Sequence, residues 1–338
     1  MNEAPDSDTS VDGNPGPDAF GVGPNADPAR SKVHEAETSR FATHEDTPAR
    51  VESSIVDGLA VTRRRRPDVN PGRPTVFLVH GAMDRSASFG RVMRRLVEFD
   101  VIAYDRRGYA GSMVAGSRGA AHDGARDPIP DAIQQNADDL RTIIDWSGAT
   151  NAVVIGHSLG GTIALALAAG GQANLISLGV FEAPAPWLDG SFADVGRGAV
   201  EVAESEGDEQ GAEFFYRLMI GDKSYSRLRD RDKQARRAEG PALLAELRSL
   251  RDPSHAIDLG SIKLPTIVGT GSTTSPSLRR GSELLTEALP NAWGIEIAGS
   301  GHGAHLTHPN DFGAFVRACV ARGEILVEPA PANTDQNG

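Results

Sequence analysis

The chain has 338 residues, 39% hydrophobic and 24% charged, with a formal net charge of −12 at pH 7 and a single cysteine. The acidic balance and the shortness of the one basic run, Arg63-Arg64-Arg65-Arg66, argue against nucleic-acid binding. Cys319 has no second cysteine to pair with, and no apolar stretch runs far enough without polar or glycine interruption to insert in a membrane.

Residues 1–50 hold ten acidic and four basic residues among many Pro, Gly, Asp and Ser, so half of the net charge sits where almost no large apolar residue occurs. Such a segment cannot bury enough surface to offset its ordering entropy, and residues 1–48 are expected to be a disordered acidic tail. The opening Met1-Asn2-Glu3-Ala4-Pro5-Asp6 is acidic where a secretory leader would be basic and then apolar, which with the unpaired cysteine makes the cytoplasm the expected location.

The folded body is expected over residues 49–323. Two short runs, 51–56 and 59–65, flank Asp57-Gly58, a hairpin signal, and the basic run reads as a solvated strand end. Residues 75–79 form a continuous apolar run, the mark of a strand covered on both faces, and end in His80-Gly81-Ala82-Met83-Asp84. A helix is predicted over 88–97 and a strand over 101–104, leading into Asp105-Arg106-Arg107-Gly108-Tyr109-Ala110-Gly111-Ser112. Another helix is predicted over 131–147.

Next comes Val153-Val154-Ile155-Gly156-His157-Ser158-Leu159-Gly160-Gly161, a β-branched run entering Gly-x-Ser-x-Gly, followed at once by a small-residue helix. This is the strand–turn–helix context of a nucleophile elbow, in which a strained turn lifts the serine hydroxyl clear of the sheet. The helix N-terminus behind it favours developing negative charge. A strand over 175–181 ends in Glu182-Ala183-Pro184, and residues 185–261 are charged, helix-prone and without a convincing strand. Strands at 265–268 and 293–297, with a helix over 277–288 between them, precede a last helix over 309–321. Residues 324–338 read as a flexible tail.

Strands alternating with helices predict an α/β fold: a doubly wound, mostly parallel sheet of about eight strands with a helical cap insertion at about 185–261. The singled-out loops all fall at carboxyl ends of strands, where such sheets bind ligands. Neither a dinucleotide fingerprint nor a metal-ligand cluster is visible, so no cofactor or metal is expected.

Together these motifs closely resemble the α/β-hydrolase superfamily over residues 50–322. His80-Gly81-Ala82 is similar to its oxyanion loop, the segment from Asp105 to Ser112 to its Asp-x-Arg-Gly-x-Gly-x-Ser loop, and Gly299-Ser300-Gly301-His302 to its histidine loop. The resemblance implies Ser158 as nucleophile, His302 as base with His305 the alternative, and the N–H groups of Ala82 and Leu159 as oxyanion donors. It implies an acid after the strand at 265–268, but Gly269-Thr270-Gly271-Ser272-Thr273-Thr274-Ser275 has none. Phe181-Glu182-Ala183-Pro184 resembles the Tyr-Glu-Pro-Pro turn of a bacterial subgroup with its acid one strand earlier, which makes Glu182 the candidate; a structural pairing of Glu182 with an arginine is the alternative. Met83, Trp187, Phe215 and Met219 are candidate pocket residues, or packing between cap and core. The expectation is a serine hydrolase acting on a small-molecule ester or related acyl bond, with a non-hydrolytic sensor on the same fold as the rival.

Overall fold

The computed structural model describes residues 49–65, 72–113, 131–190 and 196–327. The expected tail at 1–48 lies outside the described residues, as does that at 324–338 except for residues 324–327, which continue the last helix instead. Eight strands form one sheet: β1 Arg50–Val56, β2 Leu59–Arg65, β3 Thr75–Val79, β4 Asp100–Tyr104, β5 Ala152–His157, β6 Leu175–Phe181, β7 Thr266–Gly271 and β8 Ala292–Ile297. Their spatial order is β1-β2-β4-β3-β5-β6-β7-β8. The first two pairings, β1 with β2 and β2 with β4, are antiparallel, and all others are parallel.

β1 and β2 meet as a hairpin in which Asp57 and Gly58 both take positive φ, 47° and 80°, as a two-residue turn requires. The basic run at the end of β2 is not simply solvated. Arg63 bonds Asp100 at 2.8 Å and the buried Arg64 reaches the Leu96 carbonyl, so its charges tie the hairpin to β4 and the loop before it.

Every residue of β3, β4 and β5 is buried, as their continuous apolar runs predict. Helices cover both faces. α1 is Gly90–Met93, α2 Ala132–Ser147 and α3 Leu159–Ala169; α9 is Pro276–Ala288, α10 Ala304–Thr307 and α11 Pro309–Val327. One face packs α2, α3 and α9 in a cluster with Val154, Val180 and Val268; the other packs α1 and α11 against Val153, Ile155 and Phe181. The helix predicted over 88–97 is replaced by a 3₁₀ turn, Ser86–Phe89, and the single turn of α1. Gly90 at the junction favours this break, while Phe89, Val92 and Leu96 anchor the segment to the core. α11 continues to Val327, past the end expected at 321.

Between β6 and β7 the chain is helical: α4 Arg197–Glu206, α5 Asp208–Ile220, α6 Asp222–Ser226, α7 Asp230–Arg237 and α8 Gly240–Arg251. These helices form their own apolar cluster, into which Met83 and Tyr109 from the body are inserted. The cap therefore sits over the carboxyl ends of β3 and β4.

Candidate active site

Ser158 separates β5 from α3 with φ 52° and ψ −128°, a strained conformation for a residue with a side chain. The turn closes only because its flanking positions lack Cβ atoms. One at Gly156 would lie 2.2 Å from the Gly160 carbonyl oxygen, and one at Gly160 the same distance from that of Val79. The Ser158 N–H donates to the Phe181 carbonyl at 2.8 Å, which binds the elbow to the end of β6.

The residue that follows β6 is Glu182, also at positive φ (48°) and fully buried. Its Oε2 is 2.6 Å from His302 Nδ1, and its Oε1 accepts from the Gly271 N–H at 2.8 Å and the Thr270 hydroxyl at 3.1 Å. Burial raises the Glu182 pKa, but the hydrogen bond and charge of His302 and the Gly271 N–H outweigh it, and the carboxyl lies below its ordinary value. The end of β7 thus supplies donors where a later acid is missing. Among the described residues Glu182 bonds His302 and forms no ion pair with an arginine.

His302 follows Gly299, which takes φ 74°, on the loop after β8. The loop is pinned at three points. Ser272 Oγ accepts from the Gly299 N–H at 2.7 Å, the Thr273 N–H donates to the Ser300 carbonyl at 2.9 Å, and His157 Nε2 meets the His302 carbonyl at 2.7 Å. His157 is buried behind the elbow, and burial first, then the neighbouring His305 and His302, push it well below the ordinary histidine range.

His305, the other candidate base, lies 3.3 Å from Asp84 and its ring is 4.2 Å from that of His157. Asp84, His157 and His305 offer metal-type atoms within 4.8 Å of one another. Asp84 also accepts from the Ser88 hydroxyl at 2.9 Å. Burial would raise its carboxyl, but His305, His80 and His157 hold it well below the usual range. The group reads as a paired carboxylate packed behind the elbow.

Facing the elbow, β3 ends in the loop from His80 to Asp84. A Cβ on Gly81 would come within 2.9 Å of Ser158 Cβ, so the loop and the serine lie in close contact. Met83 adopts φ 53°. His80 Nε2 accepts the Arg106 N–H at 2.9 Å, which leaves Nδ1 to carry the proton and donate to the Gly81 carbonyl at 2.8 Å. Burial and the adjacent Arg106 lower the His80 pKa to about 3, consistent with this neutral tautomer. Arg106 is wholly buried and grips the carbonyls of His80 and Gly81 at 2.9 and 3.0 Å, with Glu246 of α8 as its counter-ion.

Of the four expected pocket residues, Met83 and Phe215 are buried in the cap cluster and Met219 packs against it. Trp187 does not join them: it packs against the main core and lines a separate cleft of about 210 Å³ with Pro186, Arg197 and Leu250. Sequence reasoning missed Glu246. Its signal was present, because Leu243, Glu246, Leu247 and Leu250 fall on one helical face and leave a carboxylate on the apolar side.

A serine on a strained strand-to-helix turn, at the carboxyl end of a mostly parallel eight-stranded sheet, defines the α/β-hydrolase class. The chain belongs to the alpha/beta hydrolase family, whose model it matches over residues 76–315. It is 27% identical over 256 residues to RutD of Caulobacter segnis, named as a carbamate hydrolase, across 71% of this chain and 89% of that protein. It is 30% identical over 120 residues to the lipase LipV of Mycobacterium tuberculosis, across 36% of this chain and 41% of LipV. In fold it is similar to the enol-lactonase of Burkholderia xenovorans LB400, with a TM-score of 0.56 and 18% identity, over 80% of this chain and all 100% of that one. Among the described residues no helix is long and apolar enough to cross a membrane.

Proposed function

We propose that the chain is a serine hydrolase that cleaves a carboxylic ester or related acyl bond of a small molecule through an acyl-enzyme. The observation that carries this reading is the pairing of Glu182 with His302 Nδ1 beside the elbow that bears Ser158. Glu182 holds the imidazole with Nδ1 protonated, so that Nε2 is free of its proton and can act as base.

Ser158 Oγ attacks the substrate carbonyl carbon as its proton passes to His302 Nε2. The carbonyl π electrons move onto oxygen, and the N–H groups of Ala82 and Leu159 stabilise that oxyanion. Collapse expels the alcohol or amine, which takes the proton from His302. Water, activated by the same histidine, then attacks the acyl carbon and releases acid and free Ser158. The names of the relatives, a carbamate hydrolase and a lipase, are compatible with acyl-bond chemistry of this kind.

The test is turnover of p-nitrophenyl acetate and butyrate by the full chain and by Ser158→Ala, with a fluorophosphonate label located by mass spectrometry. Turnover lost in the variant and label found on Ser158 is the expected result. A folded protein with neither turnover nor label would overturn the reading in favour of a binding protein.

A further inference from the structure

The oxyanion loop is held by its backbone carbonyls, and apart from the His80 ring, which also donates to the Gly81 carbonyl at 2.8 Å, the groups that hold them belong to the cap or are anchored by it. The His80 carbonyl accepts Arg106 Nε, the Gly81 carbonyl accepts Arg106 Nη2, and the Met83 carbonyl accepts Arg236 Nη1 at 2.8 Å. Arg236 lies on α7 of the cap. Arg106 lies in the loop after β4, but its guanidinium is bound by both oxygens of Glu246 on α8. Glu246 is itself fixed by the Tyr109 hydroxyl at 2.7 Å and approached by Asn136 Nδ2 at 3.4 Å. A second cap carboxylate, Glu239, is buried and takes Arg85 at 3.2 Å, Arg236 at 3.1 Å and the Ala110 N–H at 3.2 Å.

Because a peptide unit is planar and trans, fixing the carbonyl of one residue aims the N–H of the next in the opposite direction. The Gly81 carbonyl shares its plane with the Ala82 N–H, the loop's oxyanion donor in the proposed reaction. We infer that the cap sets the aim of that donor, with Glu246 and Arg236 as positioning residues: Glu246 orients Arg106, Arg106 holds the Gly81 carbonyl, and the Ala82 N–H is thereby directed towards the site. Arg236 steadies the far end of the same loop at Met83, where positive φ would otherwise favour relaxation. Cap and oxyanion loop form one mechanical unit. A cap that lifts from the body releases the donor, and full catalytic geometry exists only with the cap seated.

This inference rests on the acyl-hydrolysis reading above, and its test separates the two. Glu246→Gln keeps the volume but removes the charge that orients Arg106. Its kcat for p-nitrophenyl acetate is expected to fall about 10- to 100-fold, the range for a slightly misplaced reacting geometry, with KM changed less than about twofold. Glu246→Asp, which restores the charge, should recover part of the loss. Arg236→Gln, at a partly exposed side chain, serves if Glu246→Gln does not fold, and should lower kcat in the same KM-independent way. Hydrogen exchange of the amides at 81–84 supplies a readout independent of turnover: faster exchange there, with β5 unchanged, is expected in both variants. Folded variants with wild-type kcat and wild-type exchange at 81–84 would overturn the inference. If the wild type hydrolyses nothing, the functional reading fails, while the exchange data still decide whether the cap governs the loop.

Discussion

At the scale of single residues, the proposed chemistry turns on where a carboxylate stands. Glu182 bonds His302 Nδ1, whose hydrogen bond and charge do most to hold the carboxyl below its ordinary pKa, and accepts from the Gly271 N–H and the Thr270 hydroxyl at the end of β7. Glu182→Gln preserves the shape but can no longer favour the Nδ1-protonated tautomer or stabilise the imidazolium. Turnover is expected to fall by about a thousandfold or more while the far-UV circular dichroism stays unchanged. Activity within tenfold of wild type would move the acid elsewhere. The strained turn at Ser158 was legible from Gly-x-Ser-x-Gly and its flanks, because the steric need for glycine at 156 and 160 is a local one. The preference for His302 over His305 was less local, since the two lie three residues apart, after the end of β8 and at the start of α10. Only the sheet shows that His302 faces Glu182 while His305 faces Asp84.

At the scale of elements, strands and their order along the chain were readable because buried strands write continuous apolar runs, and β3, β4 and β5 are buried throughout. The segment after β3 was misread as a helix, since spacing of Phe89, Val92 and Leu96 records burial and not backbone type. Cap helices were visible as helices, yet the bond from Glu246 to Arg106 joins residues 140 apart and no local pattern encodes it. α11 offers a direct check on packing. Its Cys319 is fully buried among Phe312, Phe315 and Val320, and burial pushes the thiol well above its ordinary pKa. A thiol reagent such as dithionitrobenzoate should leave the native protein unmodified and react with one equivalent in guanidinium. Rapid labelling under native conditions would contradict the observed packing of α11.

At the scale of the whole molecule, buried neutral histidines make stability depend on pH. His80, lowered to about 3, and His157, lowered well below its ordinary 6.5, stay neutral in the folded state while unfolded copies take up protons near 6.5. The unfolded state then binds more protons below that value, so their contribution is present above pH 6.5 and is lost as pH falls towards their folded pKa values. Glu182 and Asp84, both depressed, add losses of the same sign only once pH enters the carboxylate range; Glu239 and Asp139, raised by burial, act oppositely there. A thermal midpoint measured at pH 7 and pH 5 should therefore drop at the lower value, and the drop should shrink in His80→Gln. A midpoint unchanged between the two would show that these rings are not kept neutral.

The hydrogen-bonded pairing of His157 with Phe181 places Ser158 and Glu182 one residue beyond the same rung of the β5–β6 ladder. A slip of that ladder by one residue would turn the carboxylate to the opposite face of the sheet. On the proposed reading, the alignment that completes the sheet also completes the nucleophile–acid relation. Catalysis then doubles as a proofreading signal for assembly: a molecule with β6 threaded out of step is silent, and each turnover reports a correctly registered centre.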